Sequence, residues 1–262
     1  MPNISQTDNI DKLNSTSPGK LFVVGIGPGA PEHRTVKALE VIAACDTIVG
    51  YTAYVESIAD LLEGSNKRII TSGMKKEIDR CRAALHEAAA GSTVALISSG
   101  DAGVYGMAGL ALELKAAENS AVPVEIIPGV TAAGAAAAAL GAPLMLDFAV
   151  VSLSDLLVPW DNIKRRLEAV ASADMVAALY NPRSKKRTAQ LEETIAIFRQ
   201  FRPDTTPVGI VTAAGTPIQT RIITDLAHTC EQVIGMRTVV IITNSTTELL
   251  GGQLVTPRGY QL

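Results

Sequence analysis

Aromatic side chains are scarce in this sequence, and basic residues do not outnumber acidic ones. Phe, Trp and Tyr make up 4% of the 262 residues, with one Trp, and the net charge is −3. The sequence pI is about 5.7, so there is no excess of the Lys and Arg that neutralise phosphates. We therefore predict no nucleic-acid partner. Such a composition favours packed α/β layers over an aromatic-rich binding surface.

A long apolar run and a secretory leader are also missing. No run approaches the roughly 20 residues that a transmembrane helix needs, and residues 1–16 are polar, without an apolar h-region. Cys45, Cys81 and Cys230 are odd in number and widely spaced, which is typical of reduced thiols rather than disulfides or metal ligands. These absences predict a cytoplasmic protein with no membrane partner and no bound metal.

Enough apolar material is present for a substantial core, since 47% of the residues are hydrophobic. The length allows one large or two small domains. Residues 1–19 are polar and end in Ser-Pro-Gly, which predicts a disordered tail. Short apolar strands alternate with helices along the rest, and Gly-Ala-Pro at 141–143 indicates a junction. We predict an α/β fold with an N-terminal domain at 20–145, a C-terminal domain at 146–262 and a ligand cleft between them.

Some local predictions are specific enough to be tested by a structure. The apolar pattern predicts one helix over Val55 to Leu62 and another that begins at Val130. The polar stretches at 244–246 and 258–260 predict surface loops.

The stretch Val94 to Gly109 organises the N-terminal half. An apolar run of strand length leads into a loop with Gly100, Gly103 and Gly106, and a helical pattern follows. Open α/β sheets bind ligands at such turns, beyond the carboxyl ends of strands, and Gly allows a close approach of backbone to ligand. Asp101 adds a carboxylate suited to a cation or to ligand N–H and O–H groups. The alternative is an ordinary β-to-α turn in which Asp101 is a cap.

A second Gly-rich loop follows the first predicted strand. The segment GIGPGAP at 25–31 formally fits the dinucleotide fingerprint G-x-G-x-x-A. Pro28 and Pro31 prevent a helix from starting where a pyrophosphate would need its N-terminus, and the helical pattern begins only near Thr35. No Asp or Glu lies about 20 residues further on. The sequence therefore disfavours a nicotinamide or flavin site.

A helix built from Ala and Gly follows Pro128-Gly129 and continues to Leu140. Such a helix presents almost no side-chain bulk. It either packs unusually close to a sheet or leaves room for a ligand at its first turn. The two explanations are compatible if Thr131 and Ala132 face a ligand while the later alanines face the sheet.

These loops belong to a set of five segments: GIGPG at 25–29, SGDAGVYG at 99–106, PGVTA at 128–132, LYNP at 179–182 and AAGT at 213–216. In order and spacing they resemble the tetrapyrrole methylases, the class III S-adenosylmethionine (SAM)-dependent methyltransferases of corrin and sirohaem synthesis. The resemblance runs from about Lys20 to Thr247. It implies two α/β domains, SAM as cofactor, S-adenosylhomocysteine (SAH) as product, and a homodimer.

Further motifs resemble the branch of this family that methylates C17 of a corrin precursor with ring contraction in cobalamin biosynthesis. They are GYTAY at 50–54, SGM at 72–74, SGDAGVYGMA at 99–108, SLSDLL at 152–157 and YNPRS at 180–184. The resemblance implies conversion of precorrin-3B to precorrin-4, or cobalt-factor III as substrate in the anaerobic route. In that branch a His often precedes the Asp147–Phe148 pair, whereas this chain has Leu146.

The resemblance also implies which residues contact the cofactor. Pro28 of the first loop closes the cleft, and residues of the central loop lie along the methionine and ribose. The start of the alanine helix holds the carboxylate or ribose, and residues of the second half surround the adenine. Backbone groups and small side chains can grip a folded polar ligand in this way. The implied contacts are Pro28, Gly100, Asp101, Val104, Thr131, Ala132, Tyr180, Asn181, Ala213 and Ala214.

A corrin precursor carries several carboxylates and requires cationic partners. The densest basic cluster follows a predicted strand end and is the predicted substrate site, with a solvated helix start as the alternative. It consists of Arg183, Lys185, Lys186 and Arg187. Weaker candidates are Lys75, Lys76 and Arg221.

Methyl transfer from a sulfonium depends on positioning more than on a catalytic triad, and no Ser-His-Asp arrangement is visible. The three His residues, at 33, 86 and 228, are predicted to be surface or helix-face residues. For proton handling in ring contraction, Asp155 and Ser152 are the candidate catalytic groups, although with Ser154 they also suit a cap. A non-catalytic tetrapyrrole-binding or nucleotide-binding regulator on the same fold stays open as a second function class.

Overall fold

The computed structural model describes residues 19–185 and 187–261. The predicted disordered tail therefore lies outside the described residues, apart from Gly19. Two compact units are present. Of the described residues, unit 1 contains 19–26 and Arg34–Gly129, and unit 2 contains Gly27–His33 and the residues from Val130 onward.

Unit 1 is a parallel five-stranded sheet covered by helices. Its strands are β1 (Lys20–Gly25), β2 (Thr47–Tyr51), β3 (Arg68–Ser72), β4 (Thr93–Ser98) and β5 (Val124–Ile127). Its helices are α1 (Val36–Ala44), α2 (Thr52–Glu56), α3 (Ala59–Leu62), α4 (Glu77–Ala89) and α5 (Ala108–Ala117). The strand order is β3-β2-β4-β1-β5, with every neighbouring pair parallel. All five carboxyl ends therefore lie at one edge of the sheet.

Strand β4 shows why this sheet is buried on both faces. Val94 and Leu96 pack in one core cluster with side chains of α4 and α5. Ala95 and Ile97 pack in a second cluster, with side chains of α1. Because successive side chains point to opposite faces, an unbroken apolar run is what a doubly covered parallel strand requires.

The single helix predicted over Val55 to Leu62 is wrong, because the chain breaks there into α2 and α3. The Ser57 carbonyl accepts a hydrogen bond of 2.7 Å from Nη2 of Arg34, whose guanidinium also pairs with Asp60. Ile58 is fully buried and takes a non-helical conformation with φ −115° and ψ 21°. Arg34, which is distant in sequence, thus binds the Ser57 carbonyl, which in a continuous helix would accept a hydrogen bond from a backbone amide.

Unit 2 has a mixed five-stranded sheet and a small three-stranded one. The strands are β6 (Gly141–Ala142), β7 (Phe148–Ser152), β8 (Val176–Tyr180), β9 (Pro207–Thr212), β10 (Thr220–Asp225), β11 (Thr238–Ile242), β12 (Glu248–Leu250) and β13 (Gln253–Val255). The helices are α6 (Ala132–Leu140), α7 (Trp160–Ser172) and α8 (Ala189–Phe198). The larger sheet has the order β10-β9-β11-β8-β7, in which β7 and β8 are parallel. The smaller has the order β12-β13-β6.

The alanine helix α6 belongs to unit 2. Ala133, Ala136 and Leu140 are buried in one cluster with Val211 and Ile241 of the larger sheet, as close packing against a sheet predicts. The units consequently divide at 129–130, whereas the sequence placed the domain boundary between residues 145 and 146. The physical reason is that the apolar face of α6 is covered by β9 and β11, which come much later in the chain.

Two local predictions for this half need correction. The helix begins at Ala132 rather than Val130, because the Thr131 hydroxyl accepts a hydrogen bond of 3.1 Å from the Gly134 amide and caps it. The stretch at 244–246 is not wholly a surface loop, since Asn244 is buried and its Oδ1 accepts hydrogen bonds from Thr246 and Thr247. The prediction for 258–260 is confirmed, since all three residues are exposed. Nowhere in residues 19–185 and 187–261 is a helix both long and apolar enough to span a bilayer.

Candidate functional site

Three glycines converge at the carboxyl edge of the sheet in unit 1. Gly25 ends β1, Gly100 follows β4 and Gly129 follows β5. A Cβ on Gly25 would lie 2.8 Å from the Gly100 carbonyl oxygen and 2.8 Å from the Gly129 nitrogen. The three loop backbones are therefore in direct contact, which side chains at these positions would prevent.

Asp101 ties two of these loops together. Its Oδ1 accepts a hydrogen bond of 2.8 Å from the Gly103 amide, and its Oδ2 accepts one of 2.9 Å from the Gly129 amide. Hydrogen bonds to an ionised acceptor are stronger than neutral ones. Because a carboxylate oxygen has two lone pairs, each oxygen keeps one for a ligand. Asp101 thus joins the central loop to the end of β5, a role that neither interpretation of the sequence included.

Unit 2 brings the first loop into contact with the loop after β9. The Ala30 amide donates a hydrogen bond of 2.5 Å to the Gly215 carbonyl. A Cβ on Gly215 would lie 2.8 Å from Nδ1 of His33 and 2.9 Å from Cγ of Pro28. Gly215 has a φ of +70° and directly follows Ala214. The structure therefore places Pro28 next to the segment that contains two other predicted cofactor contacts.

Ala213 has a strained backbone in that segment. Its φ is +52°, and its side chain is buried. Its carbonyl accepts hydrogen bonds from both the amide and the hydroxyl of Thr216, and its amide donates to the Arg237 carbonyl. A left-handed conformation costs a non-glycine residue about 1–2 kcal/mol, and such residues concentrate at functional sites. The strained backbone therefore makes Ala213 a candidate functional-site residue.

Tyr180 links the end of β8 to the start of α6. Its phenol oxygen accepts a hydrogen bond of 2.8 Å from the Ala133 amide. Thr131, Ala132 and Tyr180 are therefore brought together within unit 2. Asn181 follows with a φ of +50°, which is also left-handed.

The predicted catalytic residues lie near the ends of β7 and β8 but have different partners. The Ser152 hydroxyl accepts hydrogen bonds from Nδ2 of Asn181 at 3.0 Å and from the Ser154 amide at 3.2 Å. Asp155 is exposed, and its Oδ2 accepts a hydrogen bond of 2.9 Å from Gln190 on α8. The bond from the Ser154 amide to Ser152 is the local turn that the capping alternative described.

The basic cluster is less open than its sequence suggests. Arg183 pairs with Glu192 of α8 at 3.1 Å. Arg187 donates to the Asn181 carbonyl at 2.6 Å. The Nε atoms of both arginines are buried without a hydrogen-bond partner. Lys185 is exposed, and Lys186 lies outside the described residues. Protein acceptors therefore hold the guanidinium groups of Arg183 and Arg187, and Lys185 is the exposed cation of this cluster among the described residues.

The weaker basic candidates have protein partners as well, apart from the exposed Lys75. Lys76 pairs with Asp79 at 3.1 Å, and Arg221 donates a hydrogen bond of 3.0 Å to the Ala139 carbonyl. Leu146, which stands where the resembled branch often has His, is 38% exposed. These positions add no second cationic cluster to the candidate site.

The histidines confirm the prediction only in part. His86 and His228 are exposed, as predicted. His33 is half-buried beside Gly215, and its Nδ1 is buried without a hydrogen-bond partner. No pattern in the sequence indicated this, because contact with the loop after β9 depends on the fold. His33 ends a short 3-10 helix, Pro31–His33.

The cysteines are free, and Cys45 and Cys81 are buried. Burial raises the pKa of both thiols to about 11, although Lys67 near Cys45 and Arg80 near Cys81 act in the opposite direction. Neither is a thiolate at neutral pH, so neither is a reactive nucleophile. Within the described part of the chain, no group of three or more His, Cys, Asp or Glu side chains could hold a metal ion.

The candidates form two clusters connected by the chain itself. Gly100, Asp101 and Val104 lie in the central loop of unit 1, and the other predicted contacts lie in unit 2. The chain passes between the units at 26–27, 33–34 and 129–130. The first and third Gly-rich loops therefore contribute a residue to each cluster: Gly25 and Gly129 in unit 1, Pro28 and Thr131 in unit 2.

Comparison with protein families gives a match over residues 20–229 to the tetrapyrrole (corrin/porphyrin) methylases. The chain is 46% identical to the cobalt-factor III methyltransferase of Priestia megaterium, covering 93% of this chain and 45% of the relative. It is 45% identical to the probable cobalt-factor III C(17)-methyltransferase of Salmonella typhimurium, covering 92% and 100%. It is 40% identical to the precorrin-3B C(17)-methyltransferase of a Sinorhizobium species, covering 92% and 97%. The chain thus spans about half of the first of these relatives and nearly all of the other two.

Solved structures show the same fold. The methyltransferase CobJ superposes with a TM-score of 0.86 at 36% identity, covering 91% of this chain and 100% of that one. The uroporphyrin-III C-methyltransferase of Thermus thermophilus, solved in complex with SAH, gives a TM-score of 0.66 at 25% identity. That alignment covers 85% of this chain and 97% of the other.

Proposed function

Since this chain belongs to the tetrapyrrole (corrin/porphyrin) methylase family, we propose that it is a SAM-dependent methyltransferase that methylates C17 of precorrin-3B with ring contraction to precorrin-4. The observation that supports the proposal best is the convergence of the five loop segments into two clusters. Cobalt-factor III is the second candidate substrate, because relatives at 45–46% identity carry that name.

The residues present fit a folded, polar cofactor. In unit 1 the contact between the glycine backbones leaves peptide groups and the Asp101 carboxylate as the polar surface. In unit 2 the start of α6 offers small side chains at Ala132 and the Thr131 hydroxyl, while Ala213 and Ala214 are small and buried. The buried Nδ1 of His33 is a polar atom without a protein partner. These are the sizes and donors that a ligand with carboxylate, ribose and adenine groups requires.

The cofactor contacts proposed for this chain are the residues implied by the resemblance. Gly100, Asp101 and Val104 hold the methionine and ribose part. Thr131 and Ala132 hold the carboxylate or ribose. Pro28 closes the site from the first loop, and residues 180, 181, 213 and 214 surround the adenine.

SAM supplies an electrophilic methyl group, whose carbon bonds to C17 while the carbon–sulfur bond breaks and its electron pair stays on sulfur. The protein's contribution is to hold the reacting atoms in line, which can supply much of the rate acceleration. C17 would supply the electron pair of the new bond, which leaves a neighbouring ring carbon electron-deficient. A ring bond would then migrate to that carbon from a hydroxyl-bearing neighbour, whose hydroxyl becomes a carbonyl and loses its proton. Asp155, which is exposed and ionisable, is the proposed acceptor of this proton. Ser152, at the end of β7, is the second proposed catalytic group.

Substrate carboxylates are proposed to bind the basic segment after β8, through Lys185, Lys186 and the charge of Arg183. Reversing the charge in Lys185→Glu/Lys186→Glu should raise KM for the tetrapyrrole several-fold and leave SAH affinity unchanged. Lys185 is exposed, so its reversal breaks no buried contact. An equal loss of both properties would contradict this assignment.

A homodimer and a cytoplasmic location are further parts of the proposal. The resemblance and the high apolar content support the dimer. Sedimentation equilibrium at micromolar protein should give twice the chain mass of 27.4 kDa. A monomer under those conditions would refute it.

The reaction is tested with purified protein, methyl-labelled SAM, and either precorrin-3B or cobalt-factor III. We expect one labelled methyl group per macrocycle, located at C17 by NMR, in a contracted ring. Methylation at another carbon, or at C17 without contraction, would contradict the proposal in whole or in part. SAH binding without methyl transfer to either substrate would favour the non-catalytic regulator.

A further inference from the structure

We propose that Arg187 is a positioning residue, which fixes Asn181 and Ser154 and so shapes the end of β8, rather than a contact to substrate. The inference rests on the proposed function, because Asn181 is a proposed cofactor contact. The guanidinium joins the ends of two neighbouring parallel strands. Its Nη2 donates to the Asn181 carbonyl at 2.6 Å after β8, and its Nη1 donates to the Ser154 hydroxyl at 3.4 Å after β7.

Asn181 has an uncommon backbone conformation that its neighbours hold. Its φ of +50° is left-handed, a region that Asn adopts more readily than most residues with a side chain. Arg187 holds its carbonyl, and the Ser152 hydroxyl accepts a hydrogen bond of 3.0 Å from its side-chain amide. Both ends of the residue are therefore held.

Arg187 is itself fixed by the turn in which it lies. Its amide donates to the Ser184 hydroxyl at 3.1 Å, and the Ser184 amide donates to the Arg187 carbonyl at 2.9 Å. The Nε atom of Arg187 is buried. A planar guanidinium can serve two acceptors at once, which the single ammonium of Lys cannot do in the same geometry.

Fixing Asn181 also restrains Tyr180. Asn181 follows it directly in the chain, and the Tyr180 phenol holds the Ala133 amide of α6. By fixing Asn181, Arg187 restrains two proposed cofactor contacts without touching the cofactor. It also joins the SLSDLL segment to the YNPRS segment, both of which resemble the C17-methylating branch of the family.

The experiment compares Arg187→Met, Arg187→Lys and a matched control, Arg165→Met, an exposed residue of α7. SAH affinity is measured by calorimetry, and thermal unfolding is recorded for every variant. Arg187→Met should weaken SAH binding about 10- to 100-fold, the effect of losing one charge-assisted hydrogen bond. Arg187→Lys should lose less, and Arg165→Met should bind like the wild type.

Chemical rescue separates positioning from general destabilisation. Millimolar guanidinium should restore part of the SAH affinity of Arg187→Gly, whereas sodium chloride at the same concentration should not. If Arg187→Met does not fold, the inference is tested with Arg187→Lys, whose SAH affinity should be lower than that of the wild type.

Two results would overturn the inference while leaving the proposed function intact. The first is wild-type SAH affinity in both Arg187→Met and Arg187→Lys. The second is a raised KM for the tetrapyrrole with SAH affinity unchanged, which would make Arg187 a substrate contact. Failure of the folded wild-type protein to bind SAH would refute the proposed function itself, and this inference with it.

Discussion

The phenol oxygen of Tyr180, at the end of β8, accepts a hydrogen bond of 2.8 Å from the backbone amide of Ala133, in the first turn of α6. The first four amides of a helix have no acceptor within the helix. Tyr180 therefore satisfies one of them and fixes a strand end to a helix start. The two residues before Ala133 are both proposed cofactor contacts, so this bond sets where they lie.

Replacing Tyr180 by Phe removes that acceptor and keeps the ring. We expect the free energy of unfolding to fall by about 1 kcal/mol, the usual worth of such a bond, and SAH affinity to fall several-fold because the start of α6 loses its anchor. Urea unfolding and calorimetry measure the two effects. Tyr260→Phe is the matched control, since Tyr260 is 74% exposed. Unchanged SAH affinity in Tyr180→Phe would contradict the proposed role.

Replacing Asp101 by Ala removes both charge-assisted bonds that join the central loop to Gly129. Such bonds are worth about 1.5–3 kcal/mol each, and the half-buried position lowers the sum, so we expect a loss of about 2–4 kcal/mol in unfolding free energy. SAH binding should weaken in parallel. The control Asp161→Ala removes an exposed carboxylate that pairs with Lys164 and should change stability little. Equal stability of the two variants would show that the loop does not depend on Asp101.

Enlarging Ala132 to Phe should block the cofactor at the start of α6 by steric overlap. Ala132 is partly exposed, so the protein should still fold. Ala138→Phe, on an exposed position of the same helix, adds the same bulk elsewhere. We expect SAH binding to be lost in the first variant and retained in the second. If both bind normally, Ala132 does not face the cofactor.

The His228–Asp225 pair should make a small part of the stability depend on pH. The hydrogen bond to Asp225 at 2.7 Å raises the pKa of His228 above 6.5, and the same bond lowers the pKa of Asp225 below 3.8. The histidine's contribution is fully present below pH 6.5 and is lost as pH rises through its folded-state pKa. The aspartate's contribution is present above pH 3.8 and is lost as pH falls through its own.

Unfolding free energies of the wild type and His228→Gln, measured from pH 5 to pH 9, test this. The two proteins should differ most at the acid end and converge as pH rises. His86→Gln is the control for an exposed histidine. A difference that is constant across the range would assign the effect to packing rather than to ionisation.

The central strand of unit 1 was predictable from the sequence because its signal is local. The run Val94–Ile97 lies within β4, since a buried parallel strand needs only a short apolar stretch and a breaker. The apolar pattern was insufficient where a residue distant in sequence determines the local structure. Arg34 splits the helix predicted over 55–62 by binding the Ser57 carbonyl.

The candidate site divides in the same way. Composition and order of the Gly-rich segments determined which loops matter and which family they resemble, because backbone approach requires small residues whatever surrounds them. Only the tertiary structure decided what the polar side chains do. It joined Asp101 to the Gly129 amide and Arg187 to the Ser154 hydroxyl, and it placed the buried Nδ1 of His33 beside Gly215. Each of these partners is distant in sequence and is brought close by strand order and helix placement, which no local pattern encodes.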